Sequence, residues 1–190
     1  KRLFMASLRL AFTLCKTVLV SLLLTSCANL NMNQNIKDAK NIESFSFRGR
    51  ASISGDLIKN PGQGQLSWKQ NKNEIDIILS APLGQGQIEI NYIEGTSAKL
   101  ILDKQKTYYA ETPDLLLQSV IGQDWPVTGL QNWVLGLPSY PSRSRVTRDF
   151  SSNQVLKIEE DGWVVEYMEW GNYKGYKLPK RFNIMRQSTK

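Results

Sequence analysis

Histidine is absent from all 190 residues of this chain. That absence excludes Ser-His-Asp and Cys-His nucleophilic centres, and any metal site built on imidazole. Cysteine is nearly absent, occurring only at Cys15 and Cys27. No thiol follows residue 27, so an intramolecular disulfide in the remainder is impossible and the fold must rest on its core. Past the N-terminal segment, no run approaches the ~18 apolar residues of a spanning helix. A basic stripe with interleaved aromatics is also missing, which argues against nucleic acid as a partner.

What the N-terminus has is a graded signal. Lys1, Arg2, Arg9 and Lys16 form a positive region, and an apolar core runs from Thr17 to Leu24. That core is too short to cross a hydrocarbon layer about 30 Å thick. It ends in Leu24-Thr25-Ser26-Cys27, a small-residue cleavage site followed by cysteine. The expected outcome is a lipoprotein: residues 1–26 are removed as signal peptide, and Cys27 is acylated, with palmitate or similar chains. Losing four basic residues and no acids takes the formal charge from +7 to +3. The basic balance therefore belongs largely to the signal, and what remains gives only weak attraction to anionic lipid or an acidic partner.

Residues 27–43 read as the lipidated end and a tether. Asn29, Asn31, Asn33, Gln34 and Asn35 dominate, without hydrophobic periodicity. From Ser44 onward Phe45, Phe47, Gly49, Ala51 and Ile53 alternate with polar residues, the signature of a strand with one apolar face. Asn60-Pro61-Gly62 marks a turn into Leu66 and Trp68. Further strands carry Ile75, Ile77 and Leu79, then Ile88, Ile90 and Tyr92, then Ala98, Leu100 and Leu102, then Thr107–Ala110. Short strands separated by tight turns predict an antiparallel meander.

The period then changes. Thr112-Pro113-Asp114 combines an N-cap, a proline at the first helical position and an early acid, and Gly122 closes that segment. A second helix is expected from Thr128, with Leu130, Trp133, Val134 and Leu137 on one face and Gly136 and Pro138 ending it. Strands resume near Val155. Gly162–Trp170 is the longest of them, Gly171 to Gly175 holds a turn, and a last strand carries Leu178, Phe182 and Ile184.

Catalytic groups are scarce. Glu159, Glu160 and Asp161 before Gly162 read as a solvated hairpin turn, and Glu166 and Glu169 as strand surface. Gly62-Gln63-Gly64 and Gly84-Gln85-Gly86 lack the following helix that a phosphate cradle needs. The chain is therefore read as a non-enzyme without cofactor or metal. A curved antiparallel sheet covered by apolar helices leaves two outcomes open, a filled core or a cavity that takes acyl chains. Arg48 or Arg50 is either a surface arginine or a hydrogen-bonding gate beside such a cavity.

Several strings together resemble the LolB family. They are Phe47-Arg48-Gly49-Arg50, Trp68-Lys69-Gln70, Ala81-Pro82-Leu83-Gly84-Gln85, and Gly122-x-x-x-Pro126-x-x-x-Leu130-x-x-Trp133-Val134-x-Gly136-x-Pro138. The similarity runs from about Ser44 to Arg186. It implies a mainly β fold, an incomplete (half) β-barrel covered by a helical lid and enclosing an apolar cavity, within a domain at 44–190. It implies an outer-membrane lipoprotein facing the periplasm. Such a protein accepts acylated lipoproteins from a LolA-like periplasmic carrier and inserts them into the inner leaflet, acting as a monomer with outer-membrane phospholipid as a further partner.

In that family a leucine on a protruding loop meets the membrane, and it carries over onto Leu83, with Pro82 and Gly84 forming the turn. Ala28, next to Cys27, is compatible with outer-membrane sorting. The nominated cavity lining is Phe45, Phe47, Leu66, Trp68, Ile77, Leu79, Ile88, Ile90, Leu100 and Leu102 from the sheet. Leu116, Val120, Leu130, Trp133 and Val134 complete it from the helices. Two other readings stand beside this one. The first is a lipid- or peptide-sensing envelope lipoprotein on a similar half-barrel. The second is a glycan hydrolase using two facing carboxylates.

Overall fold

The computed structural model of the protein describes residues 36–53, 62–82, 86–122 and 124–187. The expected signal peptide, Cys27, Asn60, Pro61, Leu83 and Gly84 lie outside the described residues. The fold is mainly β, with antiparallel strands and two short helices. Strands β1 (Ser44–Ile53), β2 (Gly62–Asn71), β3 (Glu74–Ser80), β4 (Gln87–Ile93), β5 (Ala98–Leu102) and β6 (Lys106–Ala110) form a six-stranded meander in chain order. Strands β7 (Arg145–Arg148), β8 (Val155–Glu160), β9 (Trp163–Tyr173) and β10 (Tyr176–Arg186) form a second sheet in the order β10-β9-β8-β7.

Tight turns set the register of the meander. Asp103 and Lys104 both take positive φ, 50° and 58°, as a primed hairpin turn requires. Between the sheets run α1 (Pro113–Ile121) and α2 (Val127–Trp133). The Thr112 hydroxyl caps α1 by accepting from the Leu115 N–H at 3.3 Å, and Gly122 closes the helix at φ 72°.

The strands divide into sheets of six and four and, as expected, do not close into a barrel. Elsewhere the structure departs from the sequence reading. Strand β7 is mostly polar (Arg-Val-Thr-Arg) and short, so alternation does not reveal it. Strand β9 runs through Gly171 to Tyr173, leaving only Lys174-Gly175 as the turn. The second helix begins at Val127 after Pro126, not at Thr128. Thr128 instead clasps the first helix: its N–H donates to Asp114 Oδ2 at 3.1 Å, and its hydroxyl bonds the same oxygen. Of the two alternatives for Arg48 and Arg50, the structure fits the surface arginine: both are exposed and alternate with the apolar residues of β1.

Candidate functional site

The nominated sheet residues share one face. Strand register places Phe47, Trp68, Ile77, Ile90, Leu100 and Tyr108 in a single row crossing all six strands. A second row runs Leu66, Leu79, Ile88 and Leu102. On the other side of the first row, Phe45, Ile75 and Tyr92 continue the apolar surface, with Gln70 among them. Side chains alternate strictly along a strand, so a one-residue slip on any strand would break the rows. On β1 and β2, Phe45, Phe47 and Trp68 stack in series, with ring centroids 6.3 and 6.2 Å apart.

Burial differs between rows. Trp68, Ile77, Ile90 and Leu100 are buried, while Leu66, Leu79, Ile88 and Leu102 are only half-buried. The half-buried row lies nearer the β3–β4 turn that carries Leu83. The stem of that turn is closed by the Ala81 N–H donating to Gly86 O at 2.9 Å, and Pro82 is exposed. The apolar face is thus buried in the middle and half-buried toward this end.

Helices cover the buried part. Leu116 and Leu117 of α1 are fully buried, and with Val120, Val127 and Leu130 they pack on the rows. Helix α2 divides its contacts. Val127 faces the first sheet, Leu130 touches both cores, and Trp133 packs with Val155, Ile158, Val165 and Tyr167 of the second sheet. Trp133 therefore leaves the nominated lining and belongs to the neighbouring core. Val134 is buried just past the end of α2.

Trp133, Ser139 and Tyr140 serve one buried acceptor, Glu160, which is 3% exposed. Its carboxylate accepts from the Trp133 indole N–H at 2.8 Å, from the Ser139 N–H at 3.0 Å, and from the Tyr140 N–H. The Tyr167 hydroxyl donates to Trp133 O at 2.8 Å. Burial, reinforced by the nearby Glu160 charge, pushes the Tyr167 phenol far above its ordinary value. Gly136 takes φ 76° beneath Trp170, where an added Cβ would lie 2.3 Å from the ring. The motif is thus a strap that fastens α2 to the second sheet.

The sequence reading placed Glu160 in a solvated turn. The available signal was parity: Glu160 is two residues from Ile158 and shares its inward face. On the opposite face of the first sheet, Ser67, Lys69, Asp76, Glu89 and Asn91, together with Ile78, line an open depression of about 330 Å³. Asn91 Nδ2 donates to Asp76 Oδ1 there at 2.8 Å. One face of the sheet is thus apolar, while the other carries mostly polar side chains.

A family model described as outer membrane lipoprotein LolB matches residues 43–190. The outer-membrane lipoprotein LolB of Pseudomonas paraeruginosa is 33% identical over 196 residues, covering 96% of this chain and 88% of the relative. The one from Pseudomonas savastanoi pv. phaseolicola is 34% identical, covering 85% and 83%. The one from Stutzerimonas stutzeri is 33% identical, covering 87% and 84%.

Proposed function

The chain belongs to the LolB family of outer-membrane lipoproteins, and from that premise we propose that it accepts acylated lipoproteins from a LolA-like carrier and inserts them into the inner leaflet of the outer membrane. The acceptor surface is the apolar face of the first sheet, with α1 and α2 as its lid, forming an incomplete barrel around an acyl-chain cavity. The supporting observation is the gradient across that face, from the buried row through Leu100 to the half-buried row through Leu102. An acyl chain entering at the half-buried row gains about 0.8 kcal/mol for each CH₂ taken out of water. No covalent step and no nucleotide is needed, because cargo moves down a gradient of apolar burial.

Leu83, between Pro82 and Gly84, is the membrane-touching residue. Transferring one leucine side chain out of water yields ~1.5–3 kcal/mol, which suits a reversible touch and is too little to anchor. Anchoring falls to acylated Cys27, with the following residues as tether and the domain from Ser44 acting as a monomer. The test is transfer from a loaded LolA-like carrier to liposomes. Leu83→Glu should fold, accept acylated cargo and deliver it poorly. Normal delivery by that variant would remove Leu83 from the mechanism.

A further inference from the structure

Away from the apolar face, one end of the second sheet gathers exposed aromatic and basic residues. Lys157 on β8 pairs with Glu166 on β9 in antiparallel register. The β7–β8 and β9–β10 turns therefore lie at the same end. The β7–β8 turn is held by several hydrogen bonds. Asp149 Oδ1 accepts from the Ser152 N–H at 2.8 Å and its hydroxyl at 2.7 Å. The Asp149 N–H donates to Gln154 O, the Asn153 N–H to Asp149 O, and Arg148 Nη1 to Asn153 O. This fixed turn holds Phe150 at 103% relative exposure. A phenyl ring presented wholly to water costs free energy unless something apolar meets it.

Around the β9–β10 turn the chain reads Tyr173-Lys174-Gly175-Tyr176-Lys177. Tyr173 is 47% exposed, and Lys174 and Lys177 are exposed. The N-terminal chain joins the domain at this turn. The Lys37 N–H donates to Gly175 O at 2.9 Å, and Lys37 pairs with Tyr176 as a parallel bridge. The Lys37 ammonium stands 5.2 Å from the Tyr176 ring centroid.

We propose that this end of the second sheet docks on anionic phospholipid headgroups, with Phe150 entering the bilayer interface, Tyr173 at headgroup level, and Lys37, Lys174 and Lys177 on the phosphates. Tyrosine settles at the headgroup level because one end of its ring is apolar and the other wet. Lysines near such a surface each add attraction that decays within a Debye length. Nearby acids are already engaged: Asp149 within its turn, Asp38 capping the 3-10 turn at Ala39–Asn41, and Glu169 with Lys180 at 2.6 Å.

Chain length agrees. Nine residues separate Cys27 from Lys37, a reach of at most ~35 Å. This step rests on the reading that Cys27 is acylated, and it keeps the Lys37 end close to the anchoring leaflet. The surface is distinct from the Leu83 turn. In the first sheet, that turn lies at the strand ends opposite Ser44, where the chain from Lys37 enters β1.

The test uses the mature acylated protein in phosphatidylcholine vesicles with and without phosphatidylglycerol, and in detergent micelles. Amine-modification rates are read at each lysine by mass spectrometry. On vesicles with phosphatidylglycerol, Lys174 and Lys177 should react about fivefold more slowly than in micelles, with less protection on phosphatidylcholine alone. A Phe150→Ser/Lys177→Glu variant should lose the protection at Lys37 and Lys174 while still accepting cargo. Micelle-like rates at Lys174 and Lys177 on anionic vesicles, or equal protection on both lipids, would overturn the proposal. The Cys27 peptide in the same digest reports acylation directly. Lys104 and Lys106, in and after the turn tied to Gln87 through Asp103, report separately on the Leu83 end.

Discussion

Glu160 accepts hydrogen bonds from the Trp133 indole and from two successive backbone N–H groups. Removing a buried charged acceptor leaves its donors unsatisfied. Glu160→Ala should therefore lower stability by about 3 kcal/mol or more, and Glu160→Gln by about half that, read from urea midpoints at unchanged slope. The neighbouring Tyr167 adds a pH signature. Its phenol keeps its proton in the folded state well above the ordinary value of 10.0, whereas the unfolded chain releases it there. The folded state then holds more protons, so this contribution to stability is complete below pH 10 and is lost as pH rises further. Tyr167→Phe should flatten that alkaline decline in a stability-versus-pH series, although it sacrifices the bond to Trp133 O. An unchanged decline would assign the alkaline sensitivity elsewhere.

Among the elements, the strap from Trp133 to Pro138 makes the sharpest demand on local geometry. Gly136 combines a left-handed φ with a ring where a Cβ would stand. Gly136→Ala should cost roughly 2–4 kcal/mol, and near-UV circular dichroism should show the displaced Trp170. Alternation made the face of the first sheet legible: every nominated strand residue from Phe45 to Leu102 falls on the apolar side. Cap chemistry made α1 legible at both ends. What stayed hidden depends on partners distant in sequence. Glu160 looked solvated because its donors lie about twenty or more residues upstream. Trp133 looked like a cover for the first sheet because helical periodicity gives a face and not the surface it meets. Strand β7 has only Val146 to pattern, and Thr128 lies inside its helix, where it bonds Asp114 of the first helix.

Across the whole molecule, the two sheets divide the work. The second sheet holds the strap and the N-terminal chain. The first sheet offers an apolar face that its helices cover only in part. That division yields a test by strand parity, because adjacent residues on β5 report opposite faces. Leu102 lies on the half-buried apolar row, while Ile101 points to the polar side opposite Glu89. A photoreactive side chain at one or the other changes the reporter's face without changing its distance along the strand. The most direct measurement is photocrosslinking of these two variants to an acylated lipoprotein delivered by a loaded carrier. The expected result is a crosslink to the acyl chain from position 102 and little from position 101. Equal crosslinking from both positions, or crosslinking from position 101 alone, would contradict the proposal that this face receives the cargo.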